Sequence, residues 1–384
     1  MSFQGSTVQN AIYVSGESPW PVGADAWERR AAEVLAPGPF GYIAGGAGSE
    51  ATVRANREAF ERRRLRPRML TGNSERDLSV EVLGTRSPGP FLLAPIGVLS
   101  IAHPDGELAV ARAAAETGVP MVLSSAASHS LEEIAGAMGD APRWFQLYWV
   151  NDREIATSLV RRAEAAGYGA IVVTLDTLTL GWRPRDLQNA YLPFLSGEGC
   201  AQFFSDPVFC SRLAKPPEED LLAAAGTMLA TFPNVGLTWD DLRWLRGQTD
   251  LPLLVKGVLR GDDALLARDA GVDGVVVSNH GGRQVDGSVA ALDALVEVRD
   301  ALGPDVVVLM DGGVRGGADV LKALALGADA VLLGRPYAYG LAVGGQEGVE
   351  TVIRHLLAET DLTLALLGGK VARELDSSWI AASS

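Results

Sequence analysis

The chain has 384 residues, 47% of them hydrophobic and 21% charged, with a formal net charge of −14 at pH 7. That composition suits a globular enzyme with a large core, either two average domains or one large barrel. The acidic balance, with no run of five like charges and no basic face, argues against nucleic-acid binding, because neutralising phosphates takes clustered Lys and Arg.

The amino terminus has neither a basic nor an apolar leader region, and no apolar stretch reaches bilayer-spanning length. Cys200 and Cys210 share one loop without metal-ligand spacing and read as two small buried hydrophobes. The expectation is a cytoplasmic protein that binds neither membrane nor nucleic acid. Its dispersed histidines suggest no metal site.

In chain order, residues 1–90 carry a helical pattern at 26–35, then Phe40-Gly41-Tyr42, a glycine cluster and a second helical pattern at 50–63. Eight short apolar runs follow, at 91–96, 120–123, 144–149, 170–175, 251–255, 274–277, 306–310 and 330–333. They are nearly continuous in Val, Leu and Ile rather than alternating, as in buried parallel strands. Helical patterns at 106–117, 153–166, 239–246, 262–270 and 318–326 lie between them, several closed by glycine. Eight strand–helix alternations without GxGxxG predict an α/β fold, a (β/α)8 TIM barrel over 91–384 with an N-terminal helical extension. The long connection 186–237 after the fourth strand holds Tyr191, Phe194, Phe203, Phe204 and Phe209, which look exposed. A connection that long suits a lid, an oligomer-contact arm, or both.

In such a barrel the carboxyl ends of the strands build the active site. Those positions hold Ala94-Pro95-Ile96, Ser124, Gln146 with Tyr148, Thr174 with Asp176, and then Arg183. The later strands supply Lys256, Ser278-Asn279-His280-Gly281-Gly282-Arg283, Asp311-Gly312-Gly313-Val314-Arg315 and Gly334-Arg335. His280 is one of four histidines, and a base beside arginines can hold a carboxylate and take a proton next to it. Asp176 can orient that histidine or cap its own turn. Lys256 is one of four lysines, and at a strand end it should face an anion. The glycine turns after strands seven and eight, each with an arginine, suit a phosphorylated cofactor.

These motifs resemble the FMN-dependent α-hydroxy-acid oxidases and dehydrogenases nearly end to end. The phrases at 42–48, 66–70, 181–186, 206–209 and 334–340 are most similar to the lactate 2-monooxygenase branch. The resemblance implies His280 as base, Asp176 as its orienting partner, and Arg183, Arg283, Tyr42 and Tyr148 around the substrate carboxylate and hydroxyl. It implies that Ala94, Pro95, Ile96, Ser124, Gln146, Thr174, Lys256 and Ser278 surround the flavin ring. Asp311, Gly313, Arg315, Gly334 and Arg335 would hold its ribityl phosphate. The implied reaction is oxidation of a small L-2-hydroxy acid such as L-lactate by O2. The retained keto acid is then decarboxylated by the nascent peroxide, giving the shorter acid, CO2 and water; the alternatives are an oxidase that releases keto acid and H2O2, or a dehydrogenase that uses another acceptor. A homo-tetramer or homo-octamer is implied as well. Ala126, where glycolate oxidases carry a bulky aromatic, should enlarge the pocket, whereas Val285-Asp286-Gly287 is nearer the general oxidase pattern.

Overall fold

The computed structural model describes residues 4–381. Two short strands, β1 (Val80–Val82) and β2 (Thr85–Ser87), form an antiparallel hairpin. Eight parallel strands then close a barrel: β3 (Phe91–Leu93), β4 (Met121–Ser124), β5 (Arg143–Tyr148), β6 (Ile171–Thr174), β7 (Leu253–Val258), β8 (Gly274–Val277), β9 (Val307–Met310) and β10 (Ala330–Leu333), with β10 paired to β3. This is the predicted (β/α)8 barrel.

Alternate residues along each strand face opposite sides. Leu92, Val122, Trp144, Val172, Leu254 and Val276 pack inside the barrel with their counterparts on β9 and β10. Their neighbours Leu93, Leu123, Phe145, Val173, Val255 and Val277 pack outward against the helices. With apolar residues on both faces, the strands read as unbroken hydrophobic runs.

Several local features depart from the expectation. The first barrel strand stops at Leu93, so Ala94–Ile96 leave the ladder and become loop. The hairpin β1–β2 was not anticipated. Val80 and Val82 join the interior barrel cluster, and Trp144 Nε1 donates to Thr85 Oγ1 at 2.8 Å, so the hairpin plugs the barrel end remote from the strands' carboxyl termini. Helices Gly5–Ser15, Leu131–Met138 and Ala291–Leu302 also lay outside the expected set. Leu131–Met138 carries a full capping box between Ser130 and Glu133. The carboxyl-terminal helix Arg335–Leu367 is broken at Gly344 and Gly345.

The connection after β6 folds into short helical pieces, Pro184–Gln188, Pro193–Ser196, Ala201–Phe204, Pro207–Cys210 and Leu221–Thr231. Its aromatics correct the sequence expectation: Phe194, Phe203 and Phe209 are buried, and Tyr191 and Phe204 are half-buried. The four phenylalanines pack against one another and Phe232, with Phe203 5.5 Å from both the Phe209 and Phe232 ring centroids, while Tyr191 sits edge-on to Tyr42. They join the main hydrophobic core of the barrel and its helices, which is why a segment without barrel strands is held in place. Cys200 is buried as expected, whereas Cys210 is only half-buried at the end of its short helix; both are free thiols. Among the described residues no helix is long and apolar enough to cross a membrane.

Candidate active site

The loop after β8 is set by backbone geometry. His280, Gly281 and Gly282 all adopt left-handed φ, at 58°, 63° and 81°. Glycine tolerates this freely, while histidine pays a conformational cost of the kind that concentrates at functional sites. A Cβ on Gly282 would approach the Val53 backbone nitrogen to 2.7 Å, and one on Gly281 would lie 2.9 Å from the Arg335 guanidinium. Asn279 anchors the loop by a reciprocal amide pair with Asn56, both bonds at 2.8 Å. Its side chain also accepts from Gly282 N at 3.1 Å.

This loop aims the His280 ring into a cavity at the carboxyl ends of the strands. Nδ1 lies 2.8 Å from Asp176 Oδ1 and 3.3 Å from Thr177 Oγ1, and Nε2 lies 3.4 Å from the Tyr148 hydroxyl. Asp176 Oδ1 also accepts from Thr177 Oγ1 at 3.0 Å. Burial lowers the His280 pKa, the Asp176 charge opposes that, and the Lys256 and Arg183 charges add to the lowering, with a net shift downward. Burial pushes the Asp176 carboxyl up, but His280 and Lys256 outweigh it and hold it below the usual range. At neutral pH the pair is a neutral imidazole beside a carboxylate, the state a general base requires.

Two guanidinium groups face the same space. Arg183 Nε donates to the Arg283 carbonyl at 3.1 Å, and its Nη2 donates to Gln284 Oε1 at 3.0 Å. Gln284 in turn donates to the Asp176 and Thr179 carbonyls at 2.8 and 2.9 Å. Arg283 sits 5.0 Å over the Tyr42 ring and donates to the Tyr42 and Gly45 carbonyls. Burial, with the Arg183 charge next, pulls the Arg283 pKa down to about 9. Among the described residues no carboxylate lies within ion-pair distance of Arg283, and the one near Arg183, Asp186, is 4.0 Å away. Two adjacent arginines without a hydrogen-bonded counter-ion make a receptor for a small carboxylate.

The other half of the cavity carries the remaining cations. Lys256 is buried and points inward rather than snorkelling to the rim: Nζ is 3.0 Å from Asp311 Oδ2 and 2.9 Å from Ser278 Oγ. Burial opposes its charge, yet Asp311 and Asp176 more than offset that and raise its pKa. Gly257, at φ 106°, makes the bulge that follows Lys256, and a Cβ there would press to 2.7 Å from Asp176 Cβ. The Arg315 guanidinium makes one hydrogen bond among the described residues, to the Val314 carbonyl at 3.0 Å, and burial, aided by Arg335, lowers its pKa to about 10. Arg335 donates to the Ile43, Gly281 and Gly45 carbonyls at 3.1, 3.0 and 2.8 Å, so it ties the N-terminal segment to the histidine loop.

One continuous cavity of about 400 Å³ joins these groups. Tyr42, Tyr148, Arg183, His280 and Arg283 line it together with Gly313, Arg315, Gly334 and Arg335, and Ala94, Pro95, Ile96, Lys256 and Asp311 are also on its wall. The other expected residues stand behind it. Asp176 and Ser278 back His280 and Lys256. Ser124, Gln146 and Thr174 form a buried ladder in which Ser124 Oγ donates to Gln146 Oε1 and Gln146 Nε2 to Thr174 Oγ1, both at 2.9 Å. Sequence reasoning missed Thr177 and Gln284, and also Leu192, Leu229 and Phe232, which the long connection contributes to the wall. Gln284, adjacent to Arg283, and Thr177, adjacent to Asp176, offered local signals.

The fit to a flavin mononucleotide rests on three features of this cavity. It is continuous, it is lined by Arg315, a buried cation with no carboxylate partner among the described residues, and a second cation, Lys256, stands on the same wall. An imidazole held by a carboxylate, two adjacent arginines and a further buried arginine beside glycine turns, all on one parallel-barrel cavity, suit a flavin-dependent oxidoreductase of 2-hydroxy acids. The model for the FMN-dependent dehydrogenase family matches residues 31–382, and the chain belongs to that family.

It is 43% identical over 355 residues to an L-lactate oxidase of Lysinibacillus sphaericus, covering 92% of this chain and 91% of that one. It is 43% identical over 357 residues to human 2-Hydroxyacid oxidase 1, covering 92% and 95%. A crystal structure of Mandelate oxidase superposes with a TM-score of 0.83 at 41% identity, covering 93% of this chain and 98% of that one.

Proposed function

We propose that the protein oxidises an L-2-hydroxy acid with an apolar side chain, L-lactate being the smallest, to the 2-keto acid, with O2 reduced to H2O2. The carrying observation is the His280 ring, whose Nδ1 is bound to Asp176 while Nε2 faces the cavity beside the Arg183–Arg283 pair. FMN, when bound, supplies the two-electron acceptor. Ala94, Pro95, Ile96, Ser124, Gln146, Thr174, Lys256 and Ser278 would surround its ring, and Asp311, Gly313, Arg315, Gly334 and Arg335 its ribityl phosphate.

Arg183 and Arg283 bind the substrate carboxylate, with Tyr42 and Tyr148 beside it, and this places the Cα and its hydroxyl against His280. Nε2 takes the proton, and Asp176 stabilises the imidazolium that results. Tyr148 remains protonated throughout, because burial raises its pKa well above the ordinary phenol value. The side chain of the acid lies toward Ala126, Leu180, Leu192, Phe194, Leu229 and Phe232, an apolar wall that excludes water. That wall, drawn largely from the connection 186–237, supports treating the connection as a lid over a barrel spanning 91–384, with 1–90 packed on it.

A second outcome rests on the same lid: a keto acid held under Leu192, Phe194 and Phe232 meets H2O2 and loses CO2, leaving the shorter acid and water. H2O2 released per acid consumed separates the two, near one for the oxidase and near zero for the decarboxylating enzyme. Unpaired Cys200 and Cys210 support a cytoplasmic location. The exposed Leu187 and Leu222 of the lid support its use as a contact in a homo-tetramer or homo-octamer.

The test is His280→Ala mixed anaerobically with L-2-hydroxy acids. Bleaching of the yellow absorbance should slow roughly 1,000-fold, within the usual range for losing a general base, with FMN content retained. Bleaching at the wild-type rate would overturn the assignment.

A further inference from the structure

Asp186 lies in the first turn of the short helix Pro184–Gln188, behind Arg183 and off the cavity wall. Its Oδ2 is 4.0 Å from Arg183 Nη1, beyond hydrogen-bond length, and its buried Oδ1 has no hydrogen-bond partner among the described residues. Leaving a carboxylate oxygen unsatisfied in this way is costly. The charged groups facing it are Arg183 and Arg185 from its own segment and Arg283 from the loop after β8, with the Tyr191 ring nearby. Arg185 is engaged with Glu50 at 2.7 Å. Arg183 takes its orientation from the Arg283 carbonyl and Gln284, not from Asp186. Asp186 can therefore act on the arginine pair through charge alone.

We infer that Asp186 is a positioning residue, an internal counter-ion that competes with the substrate carboxylate for Arg183 and Arg283 and takes up a proton when that carboxylate binds. The inference rests on the functional reading above. Burial already holds the Asp186 carboxyl above its usual range, and Arg283, Arg183 and Arg185 offset this only in part. A second carboxylate among the same arginines raises it further. Substrate binding is then strongest below the Asp186 pKa of the free enzyme and weakens as pH rises through it.

The experiment compares holoenzyme of wild type, Asp186→Asn and Asp186→Glu. It measures kcat and KM for an L-2-hydroxy acid, and the Kd of oxalate from the flavin absorbance change, across the acid to neutral range. Asp186→Asn should lower KM and the oxalate Kd roughly tenfold, leave kcat much less affected, and flatten their pH dependence. Asp186→Glu, which keeps the charge, should retain that dependence. A raised or unchanged KM in Asp186→Asn, a pH dependence that survives in it, or its loss in Asp186→Glu would overturn the inference. A wild type bleached by no 2-hydroxy acid would instead overturn the functional reading, and the inference with it, a failure visible before any variant is made.

Discussion

Asp176→Asn separates orientation of the base from stabilisation of its charged form. Asparagine keeps the shape and can still accept from His280 Nδ1, while Thr177 Oγ1 remains 3.3 Å from the same nitrogen. What is lost is a negative charge whose oxygen lies 2.8 Å from the ring. Charge centres about 4 Å apart at an effective dielectric near 20 attract by roughly 4 kcal/mol. With the retained hydrogen bonds, about 3 kcal/mol should appear in the rate, or roughly 150-fold in kcat. The pH profile gives an independent sign. A base works only when neutral, so kcat/KM falls as pH drops through the His280 pKa of the free enzyme. Burial already lowers that pKa and Asp176 resists the lowering. Removing the charge must therefore move the acid limb to lower pH even as the maximum rate falls. Stopped-flow bleaching under anaerobic conditions gives the rate, and steady-state kcat/KM against pH gives the limb. A loss under tenfold, or a limb displaced to higher pH with FMN content intact, would refute the electrostatic role of Asp176.

Arg315→Ala should chiefly weaken cofactor retention, since its guanidinium makes a single hydrogen bond, to the Val314 carbonyl, and is left a buried cation awaiting an anion. A loss of roughly 10- to 100-fold in FMN affinity is expected for a charge-assisted contact to phosphate, read by apoenzyme titration, and unchanged affinity would remove Arg315 from the phosphate site. Ala126→Trp should act on substrate choice. A Cβ on Gly97 would already meet Ala126 Cβ at 2.8 Å, so a larger side chain at 126 has no room on that flank and must enter the cavity. We expect kcat/KM for acids with aromatic side chains to fall roughly 100-fold and that for L-lactate far less; equal losses would mean that residue 126 does not border the side chain.

Much of the architecture was legible in the sequence because a closed parallel barrel imposes one direction on all its strands. Once eight apolar runs are ordered, every carboxyl end faces the same mouth, and Lys256, His280, Asp311 and Arg335 are gathered there although they are far apart in the chain. The left-handed turn after β8 was likewise written locally, in two glycines that no residue with a Cβ could replace without meeting Val53 or Arg335.

What tertiary structure alone decided are contacts between segments whose separation no periodicity encodes. Val80 and Val82 become a barrel plug only when Trp144 reaches Thr85. Phe194, Phe203 and Phe209 look like loop aromatics until they close on Phe232. Gln284 becomes the brace of Arg183 across about a hundred residues of chain. Asp186 keeps an unsatisfied oxygen because the arginines around it direct their donors elsewhere, Arg183 to the Arg283 carbonyl and Gln284, Arg283 to the Tyr42 and Gly45 carbonyls, and Arg185 to Glu50. A side chain's type and local period set which face it presents, but its partner and its desolvation depend on what the rest of the fold brings against that face.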